Sequence, residues 1–426
     1  MTEITKSITY LNEYKSLKKA VDEGKTPVLT VGLSAIHKAN LAAALGADTA
    51  RPVLVLTDDD NAANRFAADL RGFSEREVVV LPPRELVMAD VAGVSRGYEQ
   101  ARLAALDTLS GACFAVASVQ AAAQRTMPPA LLASSIVTLK AGEEAPLDEL
   151  THRLTDAGYE RCSQVEGMGQ FSVRGGILDI FPPQAERPYR VEFWDDEIDS
   201  ISTFDVGSQR RLEQCETLRC VPCMEALPSR AKGGAAGLAK AVAALASSRR
   251  KKQHAELQKN LERDAERLRE SGTLPAADKY LPLIYPQMAT AFDYLPENTL
   301  ILIEDTPRLR DAARDFHARI ADDVTALMER GELPGGMDGY ALDFAGICSI
   351  KRQIVRMDSF LNSIPELAPQ HLENFVANQM NAYGGNLDMA SADIRSYTEQ
   401  GRAVAVVCGS TLRCKNMFDA LTDSGL

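Results

Sequence analysis

The sequence predicts a multi-domain α/β protein: a doubly wound parallel sheet, an inserted small α+β domain and a further small α/β unit. Three observations predict this class. Across residues 1 to 140, short apolar runs alternate with helical segments. From Gly169 to Gln209 a period-two alternation replaces that rhythm, and a βα pattern returns at "NTLILIEDTPRLRDAARDF". At 426 residues, 45% of them hydrophobic and 25% charged, the chain is long enough for several cores of ordinary composition.

The elements follow in chain order. "TPVLTV", "RPVLVLT", "EVVVLP" and "CFAVASV" are apolar on both faces, as buried parallel strands require. Between them "AIHKANLAAAL", "NAANRFAADLRGF" and "SRGYEQARLAALDTLSG" carry helical periodicity, and Asp58-Asp59-Asp60 opens the second, where negative charge suits a helix N-terminus. "RTMPPALLAS" punctuates the chain, and Gly142 to Pro146 leads into a helix, "LDELTHRLTDAGY", closed by Gly158. Hairpin strands are predicted in "QFSVRGGILDIFPP", "RPYRVEFW" and "DEIDSISTFD", broken at Gly175-Gly176 and Pro182-Pro183, with "LEQCETLRCVPCMEAL" as a strand leading out. Residues 231 to 272 read as helical. Within them "SSRRKKQHAELQKNLERDAERLRESG" has apolar positions too sparse for a buried stripe, so a solvated helix or arm is expected.

Leu300 to Ile303 reads as a buried strand followed by a helix after Pro307; placed in the first sheet, it makes the second unit an insertion. Residues 350 to 426 are expected to form a separate small unit, with strands in "IKRQIVRMDS" and "RAVAVVCGS" and helices in "SADIRSYTEQG" and "TLRCKNMFDALTDSG". The expected domains are therefore 1–140, completed by 213–348, with 141–212 inserted and 349–426 following.

Composition excludes several function classes. With 47 basic against 59 acidic residues, net −12, the chain as a whole is not drawn to phosphate backbones. No stretch has the ~18 uninterrupted apolar residues of a membrane span, and the mixed-charge start has no apolar signal core, so a cytoplasmic setting is expected. The eight cysteines are scattered and read as reduced thiols; Cys220 and Cys223 form a C-x-x-C without the second pair a structural zinc site needs. His37, His152, His254, His317 and His371 form no metal pair at helical spacing, and no catalytic constellation is found. The "RRKK" at Arg249 to Lys252 reads as a solvated helix face or as a contact for an acidic partner. Without a coiled-coil seam, a monomer is expected.

One stretch resembles a phosphate loop. "VGLSAIHKAN" follows a strand and opens a helix, but the working pattern G-x-x-x-x-G-K-[ST] is broken: Gly32 is followed at the right distances by His37, Lys38 and Ala39. His37 places a side chain where backbone must approach phosphate, and Ala39 removes the hydroxyl that ligates Mg²⁺. Lys38 alone could still meet a phosphate. The "GKT" at Gly24 to Thr26 precedes its strand and cannot cradle one. A helicase-type motif would also place Asp then Glu after a strand, whereas "LILIED" ends in Glu304 and Asp305, the order reversed. Two eroded motifs predict a degenerate helicase-like domain without ATP hydrolysis.

The second domain presents a different surface. In "YRVEFW", Tyr189, Val191 and Phe193 share one face, leaving Arg190, Glu192 and Trp194 on the other. Arg174 is likewise turned opposite to Phe171 and Val173. The chain's one tryptophan and two arginines thus fall on an outward face, and these are the side chains enriched at interface hot spots. The alternative is a tryptophan half-buried under arginine stems.

"FSVRGGILDIFPP", "PYRVEFWDDEIDSI" and "FDVGSQR" together resemble the UvrB-like N-terminal region of the bacterial transcription-repair coupling factors, as do "VASVQAAAQRTMPP", "YLPLIYP" and "FDYLPENTLILIED". The resemblance covers most of residues 28 to 310 and is weaker over 350 to 426. It implies that the second domain binds UvrA by mimicking UvrB, with contacts at Arg174, Arg190 and Trp194; where this sequence has Trp194 the family commonly has Phe. It further implies no ATP hydrolysis in this region, with ATP, Mg²⁺, RNA polymerase and double-stranded DNA engaged by domains farther along. The competing reading is a residual nucleotide- or DNA-binding helicase-like fragment that uses Lys38 and the basic helix. A regulatory module restraining a motor is compatible with the first reading.

Overall fold

Runs of valine, leucine and isoleucine with no polar interruption have no face to offer water, and they make the centre of the molecule. The computed structural model describes residues 3–89, 96–247, 255–376, 380–408 and 410–426. In it, β1 (Val28–Val31), β2 (Val53–Thr57), β3 (Val78–Leu81) and β4 (Phe114–Ser118) are buried strands of one large sheet. Alternate residues feed opposite cores: Val53 and Val55 pack with the helices Asn12–Asp22, Ala35–Thr49 and Asp60–Phe73, while Leu54 and Leu56 pack with Gly97–Thr108 and Thr306–Glu329. The Asp58 to Asp60 triplet caps as its charge suggests, with the Asp59 carboxylate accepting the Ala62 N–H at 2.7 Å.

The chain then leaves the sheet. β5 (Val137–Lys140) precedes the helix Leu147–Asp156, and β6 (Glu160–Arg161), β7 (Gln170–Arg174), β8 (Ile177–Ile180), β9 (Tyr189–Trp194), β10 (Glu197–Phe204) and β11 (Arg211–Cys215) form a second sheet in the spatial order β11-β10-β9-β8-β7-β6. The chain exits through β12 (Thr217–Cys220), which pairs antiparallel with β5. Val137, Leu139, Leu218 and Cys220 of this ribbon share one core with Leu150, Leu154, Phe171, Leu178 and Val191. The inserted unit therefore begins before residue 141 and runs beyond 212, because its entry and exit strands are paired and help to fill its core.

β13 (Leu300–Ile303) returns to the large sheet beside β2, followed by β14 (Ile354–Met357) and β15 (His371–Asn374). The complete order is β15-β1-β14-β13-β2-β4-β3, parallel throughout. This corrects the boundary expected at 349. β14 and β15 are sheet strands that flank β1, not part of a separate unit, because an apolar strand such as "IVRM" needs neighbours on both edges to bury its backbone.

Two further expectations change. The helix Ala255–Ser271 is not a solvated arm: Leu257, Leu261, Ala265 and Leu268 form a narrow stripe against the helix Gly234–Ser247. Arg249 to Lys252 lie outside the described residues. The "RAVAVVCGS" segment between the helices Leu387–Glu399 and Thr411–Asp423 forms no strand in its described part, since no second backbone lies beside it to complete a ladder. Among the described residues no helix is long and apolar enough to cross a membrane.

A buried ionic cluster joins the insertion to the large domain. Glu225, fully buried just beyond β12, lies 3.0 Å from Arg84 Nε and 3.1 Å from Arg102 Nε. These contacts are close but out of line, so they act as charge pairs and not as directed hydrogen bonds. Arg84 Nη1 donates to Asp278 at 2.6 Å, and Arg102 Nη1 donates to the carbonyls of Pro82 and Ala121. Glu99 accepts the Glu225 backbone N–H at 2.7 Å, and the Tyr285 hydroxyl donates to the Glu225 carbonyl at 2.8 Å. Burial alone would lower the Arg84 pKa, but Asp278, Glu225 and Glu99 outweigh it and hold the guanidinium above its usual value. Burial raises the Glu99 carboxyl despite Arg84 nearby. The orientation of the inserted domain is thereby set by charges sealed from water.

Candidate partner-binding site and the loop after the first strand

The loop after β1 is short. β1 ends at Val31 and the next helix begins at Ala35, so only Gly32, Leu33 and Ser34 connect them. A working loop wraps several backbone N–H groups around the anion before its helix starts. Here Ala35, Ile36 and His37 are already the first helical turn. Ser34 Oγ lies 3.0 Å from His37 Nδ1, and Lys38 is buried, its ammonium donating to the Glu304 carbonyl at 2.5 Å. Burial lowers the Lys38 pKa, against the pull of Glu304, Asp305 and Asp358. Ala39 is buried in the core.

Of the acidic pair, Asp305 has a structural role. Burial raises the Glu304 carboxyl, whereas Asp305 caps the helix Thr306–Glu329 and accepts the Ser359 hydroxyl at 2.8 Å. Asp358 accepts both the backbone N–H and the hydroxyl of Thr306 at 2.7 Å and pairs with the fully buried Arg356. Lys38, Asp305 and Asp358 at the carboxyl edge of the sheet are thus each engaged by other protein groups. Restoring the letters with His37→Gly and Ala39→Ser together is expected to give no calorimetric heat on titration with ATP and Mg²⁺. Micromolar binding would mean that the helix start rewinds into a cradle at little cost.

The second sheet displays the other candidate residues. β9 and β10 join through Asp195-Asp196, with Asp195 left-handed at φ 58°, and this hairpin end holds Trp194 81% exposed, paired across the strands with Glu197. Val191 is buried, and Tyr189 and Phe193 pack against the same core, so the alternation read from "YRVEFW" matches the two faces. Gly176 lies under this end. Its carbonyl accepts the Phe193 N–H at 2.8 Å, and an added Cβ would stand 2.9 Å from the Phe193 carbonyl.

The two arginines differ. Arg174, at the end of β7, is half exposed and donates one hydrogen bond, from Nη2 to Asp179 at 2.7 Å. Arg190 is not free on an outward face, as the alternation suggested. Its Nε and Nη2 donate to Asp179 at 2.7 and 2.9 Å, its Nη1 and Nη2 also reach Gln209, and its guanidinium lies 4.7 Å from the centroid of the Phe204 ring. Strand period assigns a face but not its cover, and here Val165, Phe181 and Phe204 build a small second core over that face. Asp179 was not singled out from the sequence. An acid between Leu178 and Ile180 in an apolar strand, directly opposite Arg190 in register, is the signal that could have found it.

Among the described residues no group of three or more His, Cys, Asp or Glu is arranged to hold a metal ion. Burial pushes the Cys220 thiol up to about 12 and also raises the Cys223 thiol, and both lie in the core of the inserted unit.

The molecule is a parallel α/β domain carrying an inserted, largely antiparallel domain whose hairpin end exposes Trp194. The comparisons agree. The UvrB interaction domain family matches residues 137–225, the unit bounded by the β5 and β12 ribbon. The chain is 29% identical over 433 residues to the transcription-repair-coupling factor of Bacillus subtilis, covering 99% of this chain and 36% of the relative. It is 31% identical over 304 residues to that of Escherichia coli, 70% of this chain and 25% of the relative, and 31% identical over 289 residues to that of Haemophilus influenzae, 66% and 24%. The chain is thus similar to transcription-repair-coupling factors over most of its own length, and it spans about a third or less of the length of these relatives.

Proposed function

We propose that this chain is a recruitment module that binds UvrA through the exposed end of its UvrB-like inserted domain, bringing nucleotide excision repair to a stalled RNA polymerase. The observation that carries this reading is Trp194, 81% exposed at a hairpin end, on the same sheet face as the half-exposed Arg174. Tryptophan and arginine are the side chains most enriched at interface hot spots, and here both are exposed on one sheet face. The module hydrolyses no ATP and requires no cofactor or metal of its own. ATP, Mg²⁺, RNA polymerase and double-stranded DNA are engaged by segments that the longer relatives have outside the aligned region. The module works in the cytoplasm as a monomer. Lys38, committed to the Glu304 carbonyl, weighs against the alternative of a residual nucleotide- or DNA-binding fragment.

The test is calorimetric titration of the chain with purified UvrA. Trp194→Ala and Arg174→Ala are each expected to weaken binding by about 2 kcal/mol, roughly 30-fold, with the unfolding midpoint unchanged. Absence of wild-type binding, or binding indifferent to Trp194→Ala, would remove this face as the docking site.

A further inference from the structure

The polar face of the second sheet is organised around one carboxylate. Asp179 sits on β8 in register with Ser172 of β7 on one side and Arg190 of β9 on the other, so all three share a face. Its side chain is 1% exposed and accepts three hydrogen bonds, one from Arg174 and two from the side-on fork of Arg190. A side-on fork fixes the guanidinium plane, because both donors and both oxygens must be coplanar.

Counting donors separates the two arginines. A guanidinium has five N–H groups. Arg190 commits its Nε–H and both Nη2 hydrogens, to Asp179 and to Gln209 Oε1, and one Nη1 hydrogen to the Gln209 carbonyl. With one donor left, 13% of its side chain exposed and the Phe204 ring beneath it, it has little to offer a partner. Arg174 commits only one of its five and is 50% exposed.

The clamp on Arg190 is itself built. Gln209 is a non-glycine residue in the left-handed region, at φ 57°, a conformation kept only where the surroundings enforce it. They do so here: Asp205 accepts the Ser208 N–H and hydroxyl at 2.8 and 2.7 Å, the Gln209 N–H donates to the Asp205 carbonyl at 2.8 Å, and Gln209 Nε2 donates to the Val206 carbonyl at 2.8 Å. The turn from Asp205 to Gln209 thereby presses a carbonyl and an amide oxygen against Arg190.

We infer that Asp179 and Arg190 are positioning residues that form a fixed plate, and that the partner is touched by Arg174 and Trp194. This rests on the proposed docking of UvrA. Asp179 anchors Arg174 by a single Nη2 donor, leaving its other four N–H groups to take a carboxylate or main-chain carbonyl of the partner. From the register, Arg174 and Trp194 are two strands and two residues apart, about 12 Å between Cα atoms. The partner must therefore present an oxygen acceptor and an apolar socket at about that separation.

The experiment is a double-mutant cycle on the whole chain, read as the dissociation constant for purified UvrA. Asp179→Asn and Arg190→Ala are each expected to weaken binding about 10-fold in the wild-type background and less than twofold when Arg174→Ala is already present, since both act through Arg174. Equal losses in both backgrounds would mean that Arg190 or Asp179 meets the partner directly, and would overturn the inference. Failure of wild-type binding, or indifference to Trp194→Ala, is the separate failure of the docking assignment. Should either variant unfold, wild-type protein decides the matter by phenylglyoxal modification and mass spectrometry with and without UvrA. Arg174 is expected to react and to be protected by UvrA, with Arg190 unreactive in both states. Arg190 reacting freely and becoming protected would sink the inference.

Discussion

Glu225→Ala lowers the stability of this protein by about 3–5 kcal/mol, the range for removing one partner from a buried charge cluster. Glu225 is fully buried and stands between two guanidiniums, about 3 Å from each. Arg84 survives its loss in part, because Asp278 remains at 2.6 Å. Arg102 does not, since only the carbonyls of Pro82 and Ala121 then face it, and burial already lowers its pKa. The measurement is a urea midpoint, read by a probe in the inserted domain and by another in the large sheet, because a multi-domain chain need not unfold in one step. Adding Arg102→Met to Glu225→Ala should recover part of the loss, as an apolar pair of similar volume needs no counter-charge. A Glu225→Ala protein within about 0.5 kcal/mol of wild type would show that water reaches the cluster.

The parts legible in the sequence were those governed by local chemistry. Uninterrupted apolar runs identified β1 to β4 and β13, and the Asp58 to Asp60 cap followed from charge alone. The alternation in "YRVEFW" assigned faces because a half-buried strand leaves no other choice. Neighbours distant in sequence were not legible. Nothing local in "HLEN" or "IVRM" says that these strands flank β1, some 300 residues earlier. The helix Ala255–Ser271 misled because Asp264 and Asn260 lie among its buried residues: Asp264 pairs with Lys279 and accepts the Tyr280 hydroxyl, while Asn260 donates to the Gly331 carbonyl. Polar letters that find partners in the fold read, in sequence, as a solvated face. The cover over Arg190 was illegible for the same reason, its partners Asp179 and Gln209 lying on other strands and turns.

Gly32→Ala is expected to cost about 2–5 kcal/mol, combining left-handed strain with a packing collision. Gly32 has φ 86°, and an added Cβ would fall 1.9 Å from the Phe375 carbonyl oxygen. That oxygen belongs to backbone just past β15, pinned by the Phe375 N–H donating to the Val31 carbonyl at 3.0 Å, so it cannot swing aside as a side chain would. Gly142→Ala supplies the control. It has φ 83° with nothing within 4 Å of its added Cβ, so it carries the strain alone, about 1–2 kcal/mol. The difference in urea midpoint between the two variants measures the collision, and hydrogen exchange should locate it as lost protection in β15. Equal losses would show that the Phe375 backbone yields freely. A larger loss for Gly32 would explain why a glycine stands in a loop that lacks the second glycine and the hydroxyl of the phosphate-binding pattern: the backbone just past β15 needs the space.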